Sequence, residues 1–173
     1  LRAAAGGGRR LDETGFALLV DVLGNETALA ERSQAAQILG ASSLDRGQLL
    51  KLAPHLKAAG PLELRDLVKP FGRTQDAQVA AAFLAAVKGS RGFGSLPTHE
   101  FSDVVKRYPP QVLPAANALL DDLKQQDGQG LARLEQLLPA VAAGDAVRGK
   151  QLFASQKAKC SVCHRIGDTG GKI

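Results

Sequence analysis

Three residues near the C-terminus carry the clearest chemistry in this sequence. Cys160, Cys163 and His164 stand in the run Cys160-Ser161-Val162-Cys163-His164, which holds both cysteines of the chain and one of its three histidines. Thiols at this spacing can each close a thioether with one of the two vinyl groups of a haem. The histidine directly after the second thiol can turn its imidazole onto the iron. The spacing therefore predicts covalent attachment of haem c through Cys160 and Cys163, with His164 as the proximal iron ligand. In such a site the other imidazole nitrogen should donate to a carbonyl, which fixes the ring and tunes the metal.

Three other uses of the same residues remain open. A redox dithiol of the thioredoxin kind wants its Cys-x-x-Cys at a helix start after a strand, and no βαβ pattern precedes this one. A zinc site wants four ligands, and this segment offers Cys160, Cys163, His164 and, as a fourth, Asp168. The two cysteines could also be idle. They are no disulfide framework for a small secreted domain, because both lie in one short segment.

The elements that must position these residues read as helical. From Leu11 to about Val141 short amphipathic stretches are broken by Gly, Pro and Ser, with no alternating strand. Phe16, Leu19, Val20 and Leu23 follow helical spacing up to a cap at Gly24. Ala35, Ile38 and Leu39 share the next helical face, ending at Gly40. Ser43 is expected to cap a helix carrying Leu49, Leu52, Ala53 and Leu56, with a kink at Pro54 and a stop at Gly60. Pro61 opens a helix with Leu64, Leu67, Val68 and Phe71 inward, and the next turns Val79, Ala82, Phe83 and Ala86 inward. Gly89 to Gly94 reads as a loop; it lacks the strand before and the Lys-Ser/Thr ending after that a phosphate loop needs. Thr98 is expected to cap a helix faced by Phe101, Val104, Val105 and Tyr108. Beyond Pro109 and Pro110 two helices are expected, striped by Val112, Ala116, Leu119 and Leu123, then by Leu131, Leu134, Leu138 and Val141.

Ala35, Leu67, Phe101 and Leu134 hold similar mid-helix places about 33 residues apart, a period typical of stacked helical hairpins. The fold expected is all-α: a right-handed α-solenoid of about four hairpins, each covering the apolar face of the next. The Leu, Ala and Pro usage resembles HEAT-like repeats more than the tetratricopeptide kind. An irregular helical bundle is the alternative topology.

Near the motif, Gly144-Asp145 followed by Arg148-Gly149-Lys150-Gln151-Leu152-Phe153 resembles the opening helix of a class I cytochrome c, and the resemblance extends over about Gly144 to Ile173. It implies Asp145 as the helix N-cap, and Gly149 and Phe153 as the places where this helix crosses the domain's final helix. A helical-repeat region followed by such a segment resembles the haem-binding C-terminal portions of large planctomycete and verrucomicrobial proteins, which often carry a propeller-type dehydrogenase upstream. The resemblance implies electron transfer through the haem, between an upstream dehydrogenase or another redox partner protein and a further carrier. The chain departs from the family at Gly170-Gly171-Lys172-Ile173, before the expected Gly-Pro segment and distal ligand, and it contains no methionine. The segment is therefore expected to be the truncated start of a cytochrome c domain, with haem absent from such a fragment as a possible state. The domains expected are a linker at 1–10, a HEAT-like helical-repeat domain at 11–142, and the haem-domain fragment at 144–173.

Composition sets the remaining bounds. The chain has 173 residues, 45% of them hydrophobic, enough for one domain and part of another. The formal net charge is +5, with Lys and Arg scattered among Asp and Glu along the helices, and there is one Tyr and no Trp. The stacking platforms of nucleic-acid binders are missing, so no nucleic-acid partner is expected. No apolar run nears the roughly 18 residues of a membrane span, and the first ten residues lack a signal-peptide core. The chain opens without methionine and is expected to be an internal fragment. Covalent haem attachment occurs outside the bacterial cytoplasm, which points to the periplasm or cell envelope. No catalytic constellation is seen among the repeats, and His55 and His99 are expected to be solvent-facing helix residues. The expectation is an electron-carrier segment, not an enzyme, and the competing one is a haem-free helical-repeat interaction scaffold.

Overall fold

The computed structural model describes residues 10–24 and 27–171. The expected linker at 1–10 thus lies, except for Arg10, outside the described residues, as do Lys172 and Ile173. The described chain is mostly helical, with little sheet. By contacts it divides into two units, 1–127 and 128–173. The division falls inside a helix, upstream of the 142–144 boundary read from the sequence.

In the first unit α1 (Glu13–Gly24) packs on α2 (Leu29–Ala41), and α2 packs on α4 (Pro61–Leu67). Between them α3 (Arg46–Leu52) runs into a 3-10 turn, Ala53–Lys57, against which α5 (Ala77–Lys88) lies. A second 3-10 turn, Lys69–Arg73, contacts α6 (Thr98–Val105). The core is one apolar cluster running from Phe16 to Leu123. At its centre Phe71 and Phe83 stack with ring centroids 4.7 Å apart, Phe101 stacks 6.1 Å from Phe83, and Tyr108 meets Phe83 edge-on.

Several helix boundaries differ from the sequence reading, each for a local reason. α3 is capped by Asp45, not Ser43: the Asp45 carboxylate accepts from the Gln48 N–H while the Gln48 amide oxygen accepts from the Asp45 N–H, a reciprocal capping box. Pro54 does not kink a continuing helix; α3 ends at Leu52, and Pro54 sits in the first turn of the 3-10 segment, where its missing N–H costs nothing. Pro97 stands at the N-cap of α6, and the Thr98 hydroxyl donates to Asp127 at 2.7 Å instead of capping. Ile38 is 41% exposed, and Ala36 takes the inward place beside Ala35 and Leu39. His99 faces solvent, whereas His55 is half-buried in the 3-10 turn, where it lines a small cavity with Arg32 and Glu63.

The largest departure follows Pro110. Where two helices were expected, α7 runs unbroken over Leu113–Ala142, through Gly128 and Gly130, with Pro139 in its last turns. Glycine costs a helix interior about 1 kcal/mol relative to alanine without breaking its hydrogen bonds, and it needs a partner element to make a break worthwhile. The stripe Leu131, Leu134, Leu138 and Val141 is 54% exposed or more at every position. Of the four residues that set the period, Ala35, Leu67 and Phe101 are buried and Leu134 is not.

The second unit also contains α8 (Ala146–Ala154), the single turn α9 (Cys160–Cys163), and a hairpin of β1 (Arg165–Ile166) and β2 (Thr169–Gly170). No residue of α8 or α9 is fully buried. Among the described residues no helix is long and apolar enough to cross a membrane.

Candidate functional site

The local sequence around the cysteines builds a compact turn. Asp145 is the N-cap of α8, its carboxylate accepting from the Val147 and Arg148 N–H groups at 2.9 and 3.1 Å. At the other end Ser155 closes the helix, its hydroxyl donating to the Leu152 carbonyl at 2.8 Å and accepting from the Ala158 N–H. The chain then turns through Lys159, whose φ of 54° places a non-glycine residue in the left-handed region. That reversal starts α9, which packs against α8.

The two thiols stand at the first and last positions of α9, on neighbouring positions of one helical turn. Both are free; Cys160 is half-buried and Cys163 exposed. The Cys160 thiol lies 3.6 Å from the Ala158 carbonyl, to which it can donate. His164 ends the turn with extended backbone, and its N–H donates to the Cys160 carbonyl at 2.9 Å. The structure thus brings the three motif residues together on one turn and its cap. The His164 imidazole is exposed, and among the described residues no carbonyl accepts from it.

After His164 the chain folds back as the β1–β2 hairpin, an element the sequence reading missed. Arg165 pairs with Gly170 and Ile166 with Thr169, leaving the two-residue loop Gly167-Asp168, with Gly167 at a φ of 58° as short hairpin turns require. The Arg165 guanidinium donates to the Gly167 carbonyl at 2.8 Å and reaches toward Asp168 at 3.5 Å. Asp168 is therefore engaged with its own hairpin rather than turned to the cysteines. Among the described residues no group of three or more His, Cys, Asp or Glu side chains is arranged to hold a metal ion by itself.

The return strand lies directly on the motif. Gly171 donates its N–H to the Ser161 carbonyl at 2.8 Å. A Cβ on Gly170, whose φ is 111°, would lie 2.0 Å from the His164 carbonyl oxygen, and one on Gly171 would lie 2.5 Å from that of Val162. Only glycine fits such an approach. The pair Gly170-Gly171 belongs to the site on this ground, and the doubled glycine was the signal that could have found it. Gly149, by contrast, has open space around a notional Cβ, and Phe153 is half-buried.

Apolar side chains on the elements that build this turn are left facing outward: Val147 and Leu152 on α8, Val162 on α9, and Ile166 on β1, each at least half exposed. The geometry is a pair of accessible thiols and an imidazole on a turn braced by a glycine strap, bordered by uncovered apolar groups. Compared with known proteins, the chain matches no protein-family model, no curated protein and no solved structure.

Proposed function

We propose that the 128–173 unit is the opening part of a class I c-type cytochrome domain that carries haem c and transfers electrons. The observation behind this reading is the α9 turn, which holds two free thiols at its ends and an unengaged imidazole immediately after them. The donor set fits the group chemically. Cys160 and Cys163 would supply the thioether sulfurs and His164 the proximal nitrogen, and Val147, Leu152, Val162 and Ile166 offer apolar surface for a planar, largely apolar partner. When bound, the haem supplies a one-electron couple.

The chain's own residues do the positioning. Lys159 reverses the backbone so that Cys160 starts the turn, and the His164 N–H bonded to Cys160 fixes the histidine next to the second thiol. The Gly171 N–H holds the Ser161 carbonyl, and the Gly170-Gly171 strap lies close against the carbonyls of Val162 and His164. A docking role for the helical region follows as part of the same proposal: hairpins of HEAT-like type, with Ala35, Leu67 and Phe101 as equivalent buried positions, forming a right-handed solenoid that holds a redox partner or an upstream dehydrogenase near the haem. Attachment chemistry points to the periplasm or cell envelope. The haem-free scaffold remains the second reading, favoured by the fact that the first unit has its own buried core without any motif residue.

The test is colour. Protein made in a bacterial periplasm with haem-attachment machinery should show an intense absorption near the blue edge of the visible that survives acid and acetone. Colourless protein, or colour extracted by acid acetone, would reject covalent attachment.

A further inference from the structure

A cleft of about 580 Å³ opens in the first unit between two walls. One wall is α4 with the following 3-10 turn; the other is α6 with the turn after it. The walls are tied at two places. Arg65 sets its guanidinium Nε 3.0 Å from both carboxylate oxygens of Glu100, and Gly72 approaches α6 so closely that a Cβ there would lie 3.2 Å from the Val104 Cα. Because residue 65 meets 100 and residue 72 meets 104, the walls run in the same direction. Arg73 on one wall and Lys106 and Arg107 on the other therefore lie toward the same end.

The charges lining this cleft are unevenly compensated. Arg65 is paired with Glu100, Lys69 with Asp66, and Lys106 with Asp103. Arg73 and Arg107 have no carboxylate partner among the described residues; Arg73 donates one N–H to the Ser42 carbonyl at 2.9 Å, which steadies it and leaves its remaining donors outward. Two guanidinium forks at one end of a cleft match carboxylates in shape and charge. Val68 and Val104, which line the cleft floor, are buried in the core, so the accessible lining is made mainly of the charged side chains.

We propose that the cleft between α4 and α6 binds an acidic peptide segment of a partner protein, with Arg73 and Arg107 taking its carboxylates. Two features favour a peptide over a nucleic acid or polyphosphate. The cleft also presents Asp66, Glu100 and Asp103, which repel a continuous run of phosphates and can accept from peptide N–H groups. It has no aromatic residue in its lining, so bases would find nothing to stack on. The site is separate from the cysteine motif, so it holds with or without haem.

The test is fluorescence anisotropy of the whole chain with a labelled, end-capped peptide carrying two spaced carboxylates, Glu-Ala-Ala-Glu, at low salt. The same peptide with Lys for Glu and a labelled oligothymidylate serve as competing probes. The acidic peptide should bind, the basic one should not, and the oligonucleotide should be the weaker anion. Arg107→Ala should weaken peptide binding about tenfold and Arg107→Glu should abolish it. Arg107 is exposed and its side chain makes no hydrogen bond among the described residues, so both variants should keep the helical circular dichroism of the parent. Equal affinity for the two peptides, tighter binding of the oligonucleotide, or unchanged affinity in both Arg107 variants would overturn the proposal.

Discussion

The two units use the same local devices and differ in what those devices support. Asp45 and Asp76 cap α3 and α5 in the first unit just as Asp145 caps α8 in the second, each carboxylate accepting backbone N–H groups of the first helical turn. In the first unit the capped helices close over Leu39, Phe71, Phe83 and Phe101, none with measurable exposure. In the second, Leu134, Leu152, Val162 and Ile166 are all at least half exposed. Caps and turns shape a segment locally, but burial supplies most of its stability. The first unit thus buries its own apolar side chains, and the second leaves many of its own uncovered.

The contrast is tested most severely in the aromatic cluster. Phe83→Ala should lower the unfolding free energy of the first unit by about 3–5 kcal/mol, followed by circular dichroism in urea. Leu134→Ala, on an uncovered helix face, should change stability by less than about 0.5 kcal/mol. Comparable losses for the two would mean that the Leu134 stripe is packed in solution.

Gly170→Ala sharpens the comparison from the other side. It forces a Cβ against the His164 carbonyl at a φ that alanine disfavours, a cost above about 1 kcal/mol. The damage should be local: hydrogen-exchange protection of the Gly171 N–H should be lost while the urea midpoint of the first unit stays where it was. A falling midpoint would couple what the contrast keeps apart.

Asp45→Ala removes one half of a capping box and should cost about 1 kcal/mol of global stability. Asp145→Ala removes the equivalent cap from α8 and should leave the main urea transition unmoved, with only some helical signal lost. A shift of that transition by Asp145→Ala would contradict independent stabilities.

The smallest effect is an acid one, read within the first unit. The Asp76 carboxyl is held below its usual range chiefly by the Val79 N–H, with Arg46 adding to it, and Glu100 is lowered by its bond to Arg65. Groups depressed in the folded state bind more protons when unfolded, so their contribution is present above the unfolded carboxylate range. It is lost as pH falls from about 5 through the folded values. Asp76→Asn keeps a good N-cap and removes the charge, so it should flatten the fall of the urea midpoint between about pH 5 and 3. An unchanged slope would remove Asp76 from the account.

Much of this was legible in the residues because much of it is local. Apolar spacing found the inward faces of α4, α5 and α6, Pro61 and Asp145 marked helix starts, and the five-residue motif located the candidate site. What escaped depended on partners distant in sequence or on competition between neighbouring signals. The sequence reading puts the cap at Ser43, whereas Asp45 holds that place because Gln48 returns its hydrogen bond and completes the box. Two helices were expected beyond Pro110, but Gly128 and Gly130 weaken a helix without removing its hydrogen bonds, and α7 runs on through them. The hairpin after His164 is too short for alternation to reveal, and the need for glycine at 170 and 171 exists only because the strand returns onto the motif.

The central claim is that Cys160 and Cys163 carry haem through two thioether bonds. Its most direct test is the intact mass of the protein produced in a periplasm with haem-attachment machinery, measured beside the Cys160→Ala, Cys163→Ala variant. The account predicts a gain of one haem mass in the parent and none in the variant. No added mass in the parent under those conditions would contradict it and leave a helical scaffold with an exposed thiol pair.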